Sequence, residues 1–221
     1  MDAAHALAAA GAPHGAGIAA LEQEAGRGRR GRRWVSPRGG LWLSVVCRPR
    51  ARTVPDCLSL RIGIAVADAL ERTSSRLPVL QLKWPNDLLL DDRKVGGILC
   101  EARWDAERLS WVVVGFGLNV TNSVPPELAA TAARVGEFDP SATPERLAGP
   151  VAAAIAAAAD LTGPLGTAEL AAFARRDWLR GRRLTAPRLG VAAGISPDGA
   201  LLIEHHGVLV PVPMTESVTA E

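Results

Sequence analysis

Apolar residues fall in short runs punctuated by turn residues along the first half of the chain, and recur at helical spacing in an alanine-rich stretch beyond it. Asp2 to Ala10 is helix-prone and is stopped by Gly11-Ala12-Pro13, after which Gly17 to Leu21 reads as a strand. Leu41 to Cys47 is strand-like. Pro55 to Arg72 carries apolar residues at helical spacing, with Pro55 at its start and Asp56 in its first turn, and predicts a helix. Four strands follow, Val79 to Trp84, Leu88 to Leu90, Val95 to Ala102 and Leu109 to Val120. Pro85-Asn86-Asp87, Asp91 to Lys94 and Arg103 to Arg108 separate them, a pattern that predicts an antiparallel meander. Beyond Pro125 the pattern turns helical over Pro126 to Arg134, Pro150 to Leu161 and Thr167 to Leu179. Helices covering a mostly antiparallel sheet make an α+β fold. From Gly181 strand-like pieces return at Val191 to Ile195, Leu201 to His205 and Val208 to Val212, a small β unit with turns at Pro197-Asp198-Gly199 and His206-Gly207.

Length and composition narrow the class. A chain of 221 residues suits one domain with a small appendix. With 48% hydrophobic and 22% charged residues it reads as an ordinary globular protein, which excludes wholesale disorder. A net charge of +2 is too small for a general polyanion binder, so any basic function is local. Met1 to Ala12 lacks a basic leader and does not read as a signal peptide. The longest apolar run, Val151 to Ala159, is far shorter than the ~20 residues of a spanning helix. Cys47, Cys57 and Cys100 have no CxxC spacing, which predicts core thiols in a reduced cytoplasmic compartment and gives no zinc signature. The sequon Asn119-Val120-Thr121 is then silent.

Chemistry concentrates in two segments. Gly26-Arg27-Gly28-Arg29-Arg30-Gly31 formally satisfies GxGxxG, but it leads into Arg32-Arg33-Trp34-Val35-Ser36-Pro37 and a strand. A dinucleotide fingerprint must open an apolar helix instead. Its glycines let backbone approach a ligand, and five guanidinium groups within seven residues offer donors to phosphate or carboxylate oxygens. Like-charge repulsion predicts a loop that an anion orders. Taken alone, the segment fits an anion clamp, a solvated basic turn or a nucleic-acid patch, with Trp34 free to stack on a base. In Lys83-Trp84-Pro85-Asn86-Asp87, a turn after a strand presents an amide and a carboxylate, and Asp87 is a candidate Mg²⁺ ligand. Lys94 follows in a tight turn, and Gly96-Gly97 clears room beside it. Glu101 and Asn119 are polar residues inside apolar strands and need partners if buried. His14, His205 and His206 lack ligand spacing, and Ser36 and Ser44 lack a nucleophile elbow.

In chain order, Gln23, Gly26 to Trp34, Leu41-Trp42-Leu43-Ser44, Lys83 to Asp87, Lys94, Gly97-Ile98-Leu99 and Gly115 to Asn119 resemble the biotin protein ligase family. The resemblance implies a catalytic domain over residues 1–180 and a small, shortened C-terminal β-barrel over 181–221. It implies ATP-dependent activation of biotin as biotinyl-5′-AMP, then transfer to a lysine of a biotin carboxyl carrier domain of acetyl-CoA or a related carboxylase. By the same resemblance Arg29, Lys94 and Asp87 are catalytic. Gln23, Gly26, Arg27, Gly28, Arg29, Arg32, Trp34, Lys94, Gly97 and Asn119 contact biotin or the adenylate, with Trp34 against adenine. Asp87 would serve as Mg²⁺ ligand or helper base. The relatives of this family that carry a winged helix act as repressors; none is read here, so nucleic-acid binding is not expected, nor is membrane association, while a homodimer is allowed. Two departures stand out. The family has a Ser-Thr pair where Met1-Asp2 lies, which predicts a reading frame that extends upstream. The tail Thr215 to Glu221 lacks the usual last basic strand. A lipoate or octanoate ligase would share the sheet and the lysine without the Arg-Gly loop.

Overall fold

The computed structural model describes residues 1–49 and 57–220. Pro55 and Asp56, the expected start of the second helix, lie outside the described residues. A six-stranded antiparallel sheet is formed by β1 (Gly17–Ala20), β2 (Leu41–Cys47), β3 (Gln81–Lys83), β4 (Asp87–Leu90), β5 (Arg93–Asp105) and β6 (Arg108–Leu118), in the order β1-β2-β6-β5-β4-β3. The meander expected from the turn clusters is therefore present, with β1 and β2 added at one edge. Helix α2 (Leu58–Thr73) and helix α3 (Pro144–Ala159) cover one face, packing on Leu43, Val45, Val112, Val114, Phe116 and Ile98. Because side chains alternate along a strand, the intervening residues face the other side. There α1 (Asp2–Ala9) lays Ala4 and Ala8 on Val46 and Val113. It covers only that end of the face.

Arg61 on α2 is almost fully buried, and its charge is matched by Glu169 of α4 (Thr167–Ala174) at 2.6 Å. The same guanidinium also donates to the carbonyls of Leu161, Gly163 and Pro164. A buried cation is tolerated only with such pairing. Four segments depart from the sequence pattern. Pro126 to Arg134 is not a helix beyond the single 3₁₀ turn Pro126–Leu128, because strand β5 captures it: Lys94 N donates to Thr131 O at 2.8 Å and Ala133 N to Lys94 O at 2.9 Å. Lys94 accordingly sits in β5 rather than in a turn. Helix α3 begins at Pro144, where the Thr143 hydroxyl accepts from Arg146 N, and Pro150 falls inside it. Helix α4 ends at Ala174, since the chain after it pairs with β3 through Leu82 N to Arg176 O and Trp178 N to Leu82 O.

The C-terminal part is a five-stranded antiparallel sheet of β7 (Arg183–Ala186), β8 (Gly190–Ile195), β9 (Leu201–His205), β10 (Val208–Val212) and β11 (Thr219–Ala220), ordered β10-β9-β8-β7-β11. Strands β7 and β11 escaped the sequence pattern. No pairing of β10 with β11 closes this sheet into a barrel among the described residues. Trp84, 1% exposed, donates from Nε1 to Gly199 O at 2.9 Å and pins this sheet to the main one.

Candidate functional site

The uncovered part of the α1 face is centred on three glycines. The strand register places Trp42, Gly117, Gly97, Asp87 and Lys83 in one row across five strands, and Ser44, Gly115 and Leu99 in the next. Gly97, Gly115 and Gly117 thus form a side-chain-free floor. Above it lies a cavity of about 370 Å³, walled by the arginine loop, by Met1 and Asp2, and by residues 122–132. A Cβ on Gly115 would come within 2.7 Å of Met1 Sδ, and one on Gly117 within 2.8 Å of Trp34 Nε1. Only glycine keeps this surface low enough.

The loop folds back on itself. Gly28 N donates to Arg32 O at 2.7 Å and Trp34 N to Gly26 O at 2.9 Å, around a 3₁₀ turn at Arg29–Gly31 in which Arg30 has φ 57°. Gly26 holds the base of the loop: a Cβ there would meet Trp34 O at 2.3 Å, so it shapes the wall from behind without lining the cavity. Arg27 pairs with Asp2 at 2.7 Å and approaches Glu101 at 3.5 Å. The Asp2 hydrogen bond raises the Arg27 pKa and lowers that of Asp2. Glu101 also accepts from His5 Nε2 at 3.0 Å, while His5 Nδ1 accepts from Trp111 Nε1. Arg29 donates to Asn86 Oδ1 at 3.3 Å and to the Met214 carbonyl. Burial, followed by repulsion from Arg30, lowers the Arg29 pKa. Arg30 reaches Ser217 Oγ and Thr215 O, both at 2.8 Å. Repulsion among the arginines is answered by carboxylates and carbonyls drawn from both ends of the chain.

Opposite the loop, Lys94 Nζ lies 2.7 Å from Asp87 Oδ1 and 5.1 Å from the centre of the Trp34 ring. Trp34 rests over Gly97 and Gly117, and its buried Nε1 makes no hydrogen bond. Gln23 accepts from Ser36 Oγ at 2.8 Å. The cavity therefore gathers Gln23, Arg27, Gly28, Arg29, Arg32, Trp34, Asp87, Lys94, Gly97 and Asn119. Asn119 holds a position rather than offering a free amide: its Nδ2 donates to Ala133 O and its Oδ1 accepts from Asn122. Sequence reasoning missed Asn122 and the Ser123 to Ala132 wall, which the mistaken helix concealed. Their one sequence signal was Pro125-Pro126, which a helix-minded reading takes as a start.

Elsewhere little competes. Cys47 is buried and its thiol is pushed up to about 12, first by burial, so it is inert at neutral pH. Among the described residues no group of three or more His, Cys, Asp or Glu side chains could hold a metal. Mg²⁺ fits here only as a companion of phosphates. Asp87 Oδ1 is engaged by Lys94, which leaves one carboxylate oxygen for an ion that ordinarily takes most ligands from phosphate and water.

Comparison with known proteins agrees with this geometry. Residues 8–119 match the biotin/lipoate A/B protein ligase family. The chain is 34% identical over 211 residues to the biotin--[acetyl-CoA-carboxylase] ligase of Paracoccus denitrificans, covering 90% of this chain and 88% of that one. It is 33% identical over 199 residues to the bifunctional ligase/repressor BirA of Escherichia coli K12, covering 86% of this chain and 61% of that longer one. The fold superposes on biotin protein ligase from Aquifex aeolicus, in complex with biotin and ATP, with a TM-score of 0.82 at 24% identity over 99% of this chain and 94% of that one. With the family match spanning half the chain and the Paracoccus denitrificans relative matched almost end to end, the chain belongs to the biotin/lipoate A/B protein ligase family.

Proposed function

We propose that the protein is an ATP-dependent ligase that activates biotin as biotinyl-5′-AMP and transfers it to a lysine of a biotin carboxyl carrier domain of acetyl-CoA or a related carboxylase. The observation that carries this reading is one cavity in which a glycine floor, Arg29 and the Lys94–Asp87 pair face one another. A flat floor beside an aromatic wall suits an uncharged bicyclic head group. Such a position makes Trp34 a wall of the acyl channel as readily as a platform for adenine.

In the first step an oxygen of the biotin carboxylate attacks the α-phosphorus, the bond to the β-phosphate oxygen breaks, and pyrophosphate leaves. Lys94 and Arg29, which both line the cavity, stabilise the charge growing on the carboxylate and phosphate oxygens, a role that fixed cations fill well in a dehydrated site. Mg²⁺ bound to the nucleotide would neutralise phosphate charge, with Asp87 as its protein ligand. In the second step the acceptor amine attacks the acyl carbon, the C–O bond to AMP breaks, and the free oxygen of Asp87 takes the amine proton. No described helix is long and apolar enough to cross a membrane.

Incubation with ATP, Mg²⁺ and biotin should give biotin-dependent exchange of labelled pyrophosphate into ATP. Exchange with lipoate alone would move the protein to the lipoate branch, and no exchange with either would overturn the reading. The arginines argue against a nucleic-acid surface, because Arg27, Arg29 and Arg30 are turned onto protein oxygens instead of forming an open array.

A further inference from the structure

The chain has two lysines, Lys83 and Lys94, against twenty-three arginines, and both flank Asp87. They differ in what they touch. Lys94 is ion-paired with Asp87, whereas Lys83 makes no ion pair among the described residues, although it extends the floor row Gly117, Gly97, Asp87 by one strand. Its Nζ lies 4.7 Å from the centre of the Trp178 ring, and Arg182 shares that ring at 3.9 Å. Arg182 is itself fixed, donating to Trp178 O at 2.8 Å and pairing with Asp92 at 3.3 Å, while Trp178 Nε1 donates to Asp92 at 2.6 Å. Burial lowers the Lys83 pKa, opposed by Asp87 and then aided by the like charges of Lys94, Arg182 and Arg32. Four cations thus crowd two carboxylates, at a ledge just past the reacting pair.

We infer that Lys83 and Arg182, preset on the Trp178 ring, form a second anion seat that receives the β- and γ-phosphates of ATP and holds pyrophosphate as it departs. The inference rests on the adenylating function proposed above. An aromatic face orients cations without neutralising them, so the Lys83 charge stays available to a ligand, while Arg182, held by Asp92 and Trp178 O through Nη2 and Nε, offers its Nη1. A planar guanidinium beside a compact ammonium suits a diphosphate, one taking two oxygens and the other a third. When the bond between the α-phosphorus and the bridging oxygen breaks, that oxygen keeps the electron pair, and the new charge falls on the fragment at this ledge. The seat serves adenylation alone: biotin binding and the attack of the acceptor amine on the acyl carbon release no pyrophosphate.

The test compares Lys83→Met and Arg182→Gln with the unaltered protein in three measurements. Inhibition of adenylation by added pyrophosphate should weaken about tenfold, and the adenylation rate should fall by a similar factor. Single-turnover transfer from pre-formed biotinyl-5′-AMP to a carrier domain should stay within about twofold. Lys83→Arg should recover most of the pyrophosphate sensitivity. Unchanged pyrophosphate inhibition, or an equal loss of adenylation and transfer, would overturn the seat. If the unaltered protein forms no adenylate, the functional reading fails separately. Calorimetric titration of pyrophosphate then tests the seat directly, with weaker binding to Arg182→Gln supporting it and equal binding refuting it.

Discussion

The two walls of the cavity are built on opposite principles. The glycine floor is backbone held in a six-stranded register, and its shape follows from strand alternation and the absence of Cβ atoms at Gly97, Gly115 and Gly117. The arginine loop has almost no ladder of its own and is held by side chains, Arg27 on Asp2 and Glu101, Arg29 and Arg30 on residues 214–217. A rigid floor can define which ligand fits, and a loop moored at distant points can open and close over it. Changes to the floor should therefore abolish binding, and changes to the loop should alter how long an intermediate is kept.

Gly117→Val is the strongest way to break the floor. Even the first carbon of the new side chain would press on Trp34 Nε1 at 2.8 Å, and the branched remainder would fill the channel. Calorimetry should detect no biotin binding, while the circular dichroism spectrum stays that of the parent. Retained biotin affinity would show that the ligand lies elsewhere.

Lys94→Met comes next, at the junction of floor and loop. Removing one fixed donor of this kind typically costs about 10²–10³ in rate, so adenylation should fall by that order with little change in biotin affinity. A parallel loss of biotin binding would instead make Lys94 a ground-state contact. Arg29→Ala strikes the loop itself, removing the bonds to Asn86 and to the Met214 carbonyl at once. The adenylate should dissociate about tenfold or more faster and the first step should slow. An unchanged rate of both would remove Arg29 from the clamp.

The same contrast explains what the sequence could reveal. Strand positions were legible because alternation and turn clusters are local: Leu41 to Cys47, Leu201 to His205 and Val208 to Val212 are strands with the bounds their pattern predicts. The site residues that the resemblance singles out from Gln23 to Asn119 all line the cavity except Gly26. The loop's moorings were not legible, since Asp2, Glu101 and Ser217 lie 25 to 187 positions from their arginines. Pro126 to Arg134 misled for the same reason: its helical composition lost to backbone pairing with Lys94, a contact that no local pattern encodes. The tail looked too short to matter, yet its carbonyls hold Arg29 and Arg30.

Arg30→Gly probes that last contact and should have the smallest effect. Arg30 adopts φ 57°, a left-handed conformation that costs a side-chain-bearing residue roughly 1–2 kcal/mol and glycine almost nothing. The same substitution removes exposed bonds to Ser217, Thr215 and Glu216, an exposed pair of this kind contributing about 0–1 kcal/mol. Glycine's larger loss of chain freedom on folding offsets part of the relief. The terms oppose one another, so the melting temperature should move little. Kinetics should separate them, because only the side-chain bonds join the loop to the C-terminal sheet: adenylate release should quicken about two- to threefold. Ser217→Ala, which leaves the loop backbone untouched, should reproduce part of that change. If Arg30→Gly and Ser217→Ala both leave release unchanged, residues 215–217 are only neighbours of the loop, and Arg27 and Arg29 moor it.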